Sequence, residues 1–566
     1  MDAKTIWYFR AQLNYAIYDR LFEFLLTKSG KVIFKLYIFK FKPSVHMKKF
    51  WKDKPLLSII IIALIIRLIA VIFAQGYGMH DDHFLVIEAS QSWVDGTDYN
   101  NWLPQNQVNP KPEGHSFFYV GIHYLIFLFF KFICISDPVF KMYIIRLLHA
   151  LLSLVVVAYG YKITLKLYNE YTARLVGLVL ALLWFMPNMS VRNLVEMVCI
   201  PFLMLGVWQL ITAEERKNKW LHYFLAGLIM GVAFSIRFQT FLFMGGCGLA
   251  LLIALKWRET ILYGLGMLLC IFLLQGVVDL FIWKRPFAEL TEYVHLNLVN
   301  KNNYGTDNPL MYFEIIMGII LPPVGVFVFF GFLRSWKRYL LIFLPTAIFF
   351  TFHTIFPNRQ ERFILSIIPF VIILGFIGWD DFVKKSKYWQ KRPLLLKGCF
   401  TFFWIINFML LAVITTSYSK RSRVETMIYL SKYNDSFKSV IVENTNEDNA
   451  SMFPSFYAKK WIISYGICEP QKNEPIKIDS VRSEGPYHKE IYSLHFFDKF
   501  KKADLPGYVL FVEDENLDQR VTNIKVFFPE LEYKVTIEPS NLDKFMHMVN
   551  AHNKNVNVHI YKTNVK

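Results

Sequence analysis

The sequence predicts a polytopic α-helical membrane protein that ends in a small α/β domain. Three observations carry that prediction. Hydrophobic residues make up 54% of the 566-residue chain and aromatic residues 17%, with a mean hydropathy of +0.33; a soluble chain of this size is less apolar. The apolar residues come in runs of roughly 17–23, enough to cross a bilayer as a helix, separated by short basic or polar loops. Beyond residue 418 these runs give way to short strand-like pieces.

The net charge of +18 fits basic residues in cytoplasmic loops better than a nucleic-acid surface. Of the cysteines, Cys134, Cys199, Cys247, Cys270 and Cys399 fall inside apolar runs and only Cys468 in a polar stretch. A disulfide framework is therefore not expected. No cleavable signal peptide is visible, because about 55 residues precede the first apolar run, too long an n-region.

Within residues 1–55, Trp7, Phe9, Leu13, Ile17, Leu21, Phe22 and Leu25 recur at helical spacing among Arg10, Arg20, Lys28, Lys31 and Lys35. This pattern predicts an amphipathic segment on the cytoplasmic membrane surface. Lys48, Lys49, Lys52 and Lys54 then place the N-terminus inside, before a first span at 56–74. The basic loops 214–219, 256–258, 334–338 and 384–392 are placed inside as well. Alternating spans follow at 143–162, 173–188, 193–212, 220–236, 240–256, 260–282, 311–333, 339–356, 363–379 and 396–416. If 117–132 also crossed, every later basic loop would face outward. The stretch 117–134 is therefore expected to lie on the outer membrane face or to be re-entrant. The count is about eleven spans, with the N-terminus in and the C-terminus out.

The expected division is a cytoplasmic segment 1–55, a transmembrane domain 56–417 with a first outer loop 75–142, and an extracytoplasmic α/β domain 418–566. In that last domain strands are predicted at 439–442, 508–512, 533–537 and 556–560, with helices at 516–528 and 541–552.

Candidate functional residues gather at the outer ends of the spans. The first loop offers His80, Asp81, Asp82 and His83, directly after the first span. A carboxylate close to lipid is costly and usually functional, although either aspartate could merely cap a helix. Arg192, Asn193 and Glu196 lie at the outer start of the span at 193–212, and Arg237 follows the span at 220–236. Arg359 and Arg362, spaced i and i+3, would share a helical face. Arginines opposite carboxylates suit glycosyl transfer from a lipid phosphate. Guanidinium groups stabilise a phosphate leaving group, and a carboxylate accepts the proton of the attacking sugar hydroxyl. Two adjacent carboxylates would raise each other's pKa. His80 and His83 lack a third metal ligand at a defined spacing, so neither a metal nor another cofactor is expected. A transporter or flippase of lipid-linked sugars is the alternative, but it would place charges near the bilayer midplane rather than at span ends.

Four segments carry a family resemblance. Met79-His80-Asp81-Asp82-His83-Phe84 resembles the His-Pro-Asp-Glu-His-Phe signature in the first outer loop of the Alg9-like mannosyltransferases, glycosyltransferase family 22 of the GT-C superfamily. Arg192-Asn193-Leu194-Val195-Glu196 resembles that family's Arg-(x)-Asn-x-x-Glu region. Asn303-Tyr304-Gly305-Thr306-Asp307-Asn308-Pro309 resembles its Phe-Tyr-Gly-Thr-His-Pro segment. Pro357-Asn358-Arg359-Gln360-Glu361-Arg362-Phe363 resembles its Pro-His-Lys-Glu-x-Arg-Phe motif. The four follow in family order over roughly residues 56–380. His80, Asp82, Asn358 and Gln360 depart from the family's residues, so both Asp81 and Asp82 stay as candidate bases.

The resemblance implies a GT-C fold and an inverting transferase, mannose being the first sugar to test. It implies a polyprenyl-phosphate sugar donor and a saccharide or lipid-linked glycan acceptor, with membrane lipids around the protein and no nucleic-acid partner. It makes Asp81 the general base. Arg359, Arg362 and Arg237 are expected on the donor phosphate, and His80, His83, Arg192, Glu196 and Tyr304 on substrate. The active site would be extracytoplasmic, in a bacterial inner membrane in preference to the endoplasmic reticulum.

Overall fold

The computed structural model describes residues 45–301, 308, 310–433, 437–444, 451–468, 481–483, 485–550 and 553–564. The expected amphipathic segment before residue 45 and Tyr304 lie outside these. The chain divides into two compact units, 1–58 and 59–566. Of the first, the structure describes the helix Val45–Asp53 and the opening of helix Pro55–Phe73.

The second unit contains the remaining helices and the sheet. Among the described residues, seven helices are long and apolar enough to cross a membrane: Pro55–Phe73, Pro138–Leu167, Val195–Glu215, Lys219–Ile236, Trp257–Trp283, Glu361–Lys385 and Pro393–Thr415. Met311–Ile320 and Val324–Arg334 meet at 118° and make an eighth if counted as one broken span. The bend falls at Pro322-Pro323, where two residues without an amide N–H interrupt the helical ladder.

The expected count of about eleven is higher because three other predicted spans form shorter helices. Phe238–Ile253 and Leu340–Ile355 are apolar but under the length of a full crossing. The predicted span at 173–188 stops at Leu182 and resumes as Met186–Ser190. Asn407 from helix Pro393–Thr415 caps both sides of that break: it accepts from the Trp184 N–H at 2.9 Å and donates to the Leu182 carbonyl at 2.8 Å. Phe117–Phe132 is a separate apolar helix of 16 residues.

One charge inside a span carries its own solvation. Arg67 is fully buried in Pro55–Phe73 and donates to Ser153 Oγ at 2.7 Å and to the Ala181 carbonyl at 3.2 Å. A buried guanidinium persists only when its donors are satisfied in this way.

Among the described residues the C-terminal sheet has seven strands: β1 (Ser439–Glu443), β2 (Ile463–Ile467), β3 (Val481–Ser483), β4 (His488–Ile491), β5 (Tyr508–Val512), β6 (Glu532–Ile537) and β7 (Val558–Lys562). Their order is β3-β4-β2-β1-β5-β7-β6. β4, β2, β1 and β5 run parallel, while β3, β7 and β6 pair antiparallel to their neighbours. The predicted strands appear as β1, β5, β6 and β7, and the predicted helices as Leu517–Lys525 and Asn541–Val549. Alternation divides the core. Val440, Val442, Leu510 and Ile560 face helix Arg421–Ser431, in a cluster that continues through Phe456 and Tyr457 to Tyr77, Phe84 and Phe127. Ile441, Val509 and Phe511 face Val521, Ile524 and Phe528 on the other side. The sheet therefore packs against the first loop as well as against its own helices.

Candidate active site

The turn after the first long helix sets the site. From Gln75-Gly76 the chain passes through the extended Met79 into a single helical turn, His80–His83, and then a π-helical turn, Phe84–Glu88. Gly76 has φ +75° and bridges to Ser419, whose N–H donates to the Gln75 carbonyl at 3.1 Å. A Cβ at this position would lie 1.9 Å from the Ser419 oxygen, so only glycine fits.

The adjacent aspartates diverge. Asp81 is 43% exposed at its side chain and pairs with Arg362. Burial alone would raise its carboxyl, but the charge and hydrogen bond of Arg362, with His80 and His115 nearby, outweigh that and hold the pKa below its ordinary value. Asp82 is buried, with one carboxylate oxygen accepting from the Gly78 N–H at 3.2 Å and the other unpartnered among the described residues. Burial raises its pKa, and Arg192 and Lys420 only partly offset this. The expected mutual elevation of neighbouring carboxylates is therefore corrected: one is lowered, and the other is raised by burial.

Charge continues inward from Asp81. Arg362 Nε donates to Gln360 Oε1 at 2.9 Å and lies 3.7 Å from Glu196 Oε1. Arg237 Nη2 approaches the same Glu196 oxygen at 3.6 Å, and its Nη1 donates to Ser366 Oγ at 2.8 Å. Both guanidinium groups lie over the Phe363 ring, at 5.4 and 5.8 Å from its centroid. Asp81, Arg362, Glu196 and Arg237 thus form a row of alternating charge. It is drawn from the turn after the first long helix and from the ends of three candidate spans.

Other predicted residues sit elsewhere. Gln360 is extended (φ −130°, ψ 142°) and the 3₁₀ turn starts at Glu361, so Arg359 and Arg362 do not share a helical face. Arg359 Nε turns back to the Thr354 carbonyl at 3.2 Å. Arg192 joins the turn to the chain beyond the last long helix: Nη1 donates to the Gly76 carbonyl at 2.6 Å, and Nη2 to the Ser419 hydroxyl at 3.2 Å. His83 is buried and meets Glu88 Oε1 at 3.1 Å. His80 stacks on Phe84 at 4.5 Å between centroids, and burial pushes its pKa down to about 4. Among the described residues no group of three His, Cys, Asp or Glu side chains could hold a metal ion.

Sequence reasoning missed His115 and Glu289. The His115 ring stacks on Trp102 at 4.8 Å and lies in the field of Asp81 and Arg362. Glu289 Oε2 accepts from the N–H groups of Gly114 and His115 at 2.7 and 3.1 Å, and burial pushes its carboxyl up to about 7. Neither residue belongs to a motif of fixed spacing. A half-exposed carboxylate held ionised by an arginine is suited to accept a proton next to a bound phosphate.

The apolar helices, the polar row at their ends and the packed sheet make the architecture of a membrane protein, and the family match that follows makes it a glycosyltransferase. The chain belongs to the Alg9-like mannosyltransferase family, whose model matches residues 58–452. Its fold is similar to that of ArnT from Cupriavidus metallidurans bound to undecaprenyl phosphate, at 11% identity over 89% of this chain and 97% of that one, with a TM-score of 0.55. The apo state of the same protein aligns at 12% identity with the same coverage and a TM-score of 0.56. The Archaeoglobus fulgidus oligosaccharyltransferase in complex with Zn and sulfate aligns at 11% identity over 80% of this chain and 68% of that one, with a TM-score of 0.45. At that score the likeness carries no argument. No curated protein sequence matches the chain.

Proposed function

We propose that the protein is an inverting glycosyltransferase. It moves a sugar, mannose first, from a polyprenyl-phosphate carrier to a saccharide or lipid-linked glycan on the extracytoplasmic face. The observation that supports this reading best is the pairing of Asp81 with Arg362, in a row that continues to Glu196 and Arg237. An acceptor hydroxyl attacks the anomeric carbon from the side opposite the phosphate and gives its proton to Asp81. The bond from the anomeric carbon to the phosphate oxygen breaks, and the phosphate leaves with the electron pair. Arg362 and Arg237 take up its charge through charge-assisted hydrogen bonds.

The apo pairing gives the donor a second effect. Arg362 keeps Asp81 ionised but weakly basic. A phosphate that draws Arg362 away removes the charge that depresses Asp81, and the carboxylate becomes the stronger base when the sugar is in place. Glu196 holds the two arginines together in either state. ArnT has been crystallised with undecaprenyl phosphate, and a lipid of that class is the donor carrier proposed for this chain. In this reading residues 56–417 form the transmembrane domain and 418–566 the outer domain, with the N-terminus cytoplasmic in a bacterial inner membrane.

The test is purified protein with radiolabelled polyprenyl-phosphate-mannose and candidate acceptor glycans. Label should appear on an acceptor with inverted anomeric configuration. Labelled lipid that only changes leaflet in proteoliposomes, with no acceptor labelled, would replace the transferase by a transporter.

A further inference from the structure

The turn that bears Asp81 is held from behind at two points by the chain that follows the last long helix. At the first, Ser419 N–H donates to the Gln75 carbonyl at 3.1 Å, and Arg192 ties the Gly76 carbonyl at 2.6 Å to Ser419 Oγ at 3.2 Å. At the second, Glu88 is fully buried and its two oxygens accept from the Phe456 N–H at 3.0 and 3.1 Å, while Oε1 also meets His83 Nε2 at 3.1 Å. The His83 ring is stacked between Tyr77, at 4.8 Å and 22°, and Tyr457, at 5.5 Å and 9°. Phe456 also packs on Phe127 of the helix Phe117–Phe132, at 5.7 Å. Gly76 and Glu88 bracket Asp81 in sequence, and both brackets close on the segment that leads into the sheet.

A carboxylate fully withdrawn from water stays only where hydrogen bonds replace its hydration. Glu88 finds them on His83 of its own turn and on a backbone N–H 368 residues away. Buried on that side, the turn leaves Asp81 on the other, aimed at Arg362. We infer that Glu88 is a positioning residue: through His83 and Phe456 it fixes the base-bearing turn to the C-terminal sheet unit, which thereby sets the geometry of transfer. This rests on Asp81 being the base. Arg192 holds the other end of the turn in the same way.

The test uses the full chain in lipid nanodiscs, with Glu88→Ala and Glu88→Gln beside the wild type. A small misplacement of a reacting group costs on the order of 10²-fold in rate. Glu88→Ala should therefore lower kcat by about that factor while the KM for polyprenyl-phosphate-mannose stays near the wild-type value, because Arg237 and Arg362 lie on other elements. Glu88→Gln keeps an oxygen for the Phe456 N–H and should recover much of the loss. Hydrogen–deuterium exchange reads the contact without activity: in Glu88→Ala it should rise together at 77–88 and 454–458, with 361–367 unchanged. If Glu88→Ala does not fold, His83→Gln tests the other link: it removes the ring stacked between Tyr77 and Tyr457, so kcat should fall and exchange rise at 77–88, while Glu88 keeps the Phe456 N–H protected. Unchanged exchange, or normal kcat in the folded variant, overturns the inference. So does a donor KM that rises in step with the loss while Glu88→Gln recovers nothing. A wild type that transfers no sugar would overturn the transferase reading, and the exchange data would still decide the contact.

Discussion

Asp81 and Asp82 are adjacent in sequence and opposite in environment. Asp81 faces the span ends, where Arg362, Glu196 and Arg237 form an ionic row. Asp82 faces inward, beside the stacked Tyr77 and His83 and the segment leading to the sheet. The same side chain is held ionised on one face and pushed toward its neutral form on the other. What separates them is the group opposite, not the residue type. A turn of four residues can thus present an ion-paired carboxylate on one side and a buried one on the other.

The contrast can be broken from the ionic side first. Glu196 is 2% exposed and lies between two arginines, so Glu196→Ala leaves the buried Arg237 without a carboxylate and Arg362 with Asp81 alone. Removing one partner of a buried pair costs about 3–5 kcal/mol. Chemical denaturation of the variant in detergent should show a loss of that size, and an unchanged midpoint would mean the row is solvated.

Arg362→Ala should weaken use of the lipid donor by about 1.5–3 kcal/mol, the worth of a hydrogen bond to a charged group. It also frees Asp81 from the charge that depresses its pKa. With Asp81 as the base, activity needs its ionised carboxylate, so the acid limb of the kcat/KM profile, which reports the free enzyme, should move to higher pH. A kcat/KM limb that stays in place would separate Asp81 from this arginine before the donor binds.

A third effect bears on stability and not on turnover, at Glu289 beside His115. The Glu289 carboxyl stands at about 7 in the folded protein against an ordinary value of 4.5. The folded state therefore holds a proton that the unfolded chain releases. Its contribution to stability is full below 4.5 and is lost as pH rises through about 7. Glu289→Gln still accepts from Gly114 and His115 but cannot ionise. The thermal stability of the wild type relative to this variant should fall across that window; a flat difference would show that Glu289 titrates alike in both states.

The sequence made one side of this contrast legible. His80 to His83 stand out because titratable residues follow directly on an apolar run, and Glu196, Arg237 and Arg362 because they interrupt apolar runs at their ends. The i, i+3 spacing of Arg359 and Arg362 misled because it presumes a helix, and Pro357 with the extended Gln360 delays the turn to Glu361. Arg192 reads as a free charge in sequence, yet the carbonyls of Gln75 and Gly76 require donors once the turn is buried. Glu88 gives no signal, since its partner Phe456 is far along the chain. In the sheet, β1 and β5 are continuous apolar runs and were readable. β2 carries Ser464 and Gly466, and β4 carries His488, Lys489 and Glu490, so both read as loop.

Turnover of Asp81→Asn and Asp82→Asn on the same donor and acceptor decides which face performs the chemistry. Asparagine keeps the shape of the side chain but cannot accept the acceptor's proton. With Asp81 as the base, Asp81→Asn should lose on the order of 10²–10⁴-fold in kcat while still binding donor, and Asp82→Asn should lose less. Normal turnover in Asp81→Asn together with an inactive Asp82→Asn would contradict this, and would put the base on the buried face of the turn.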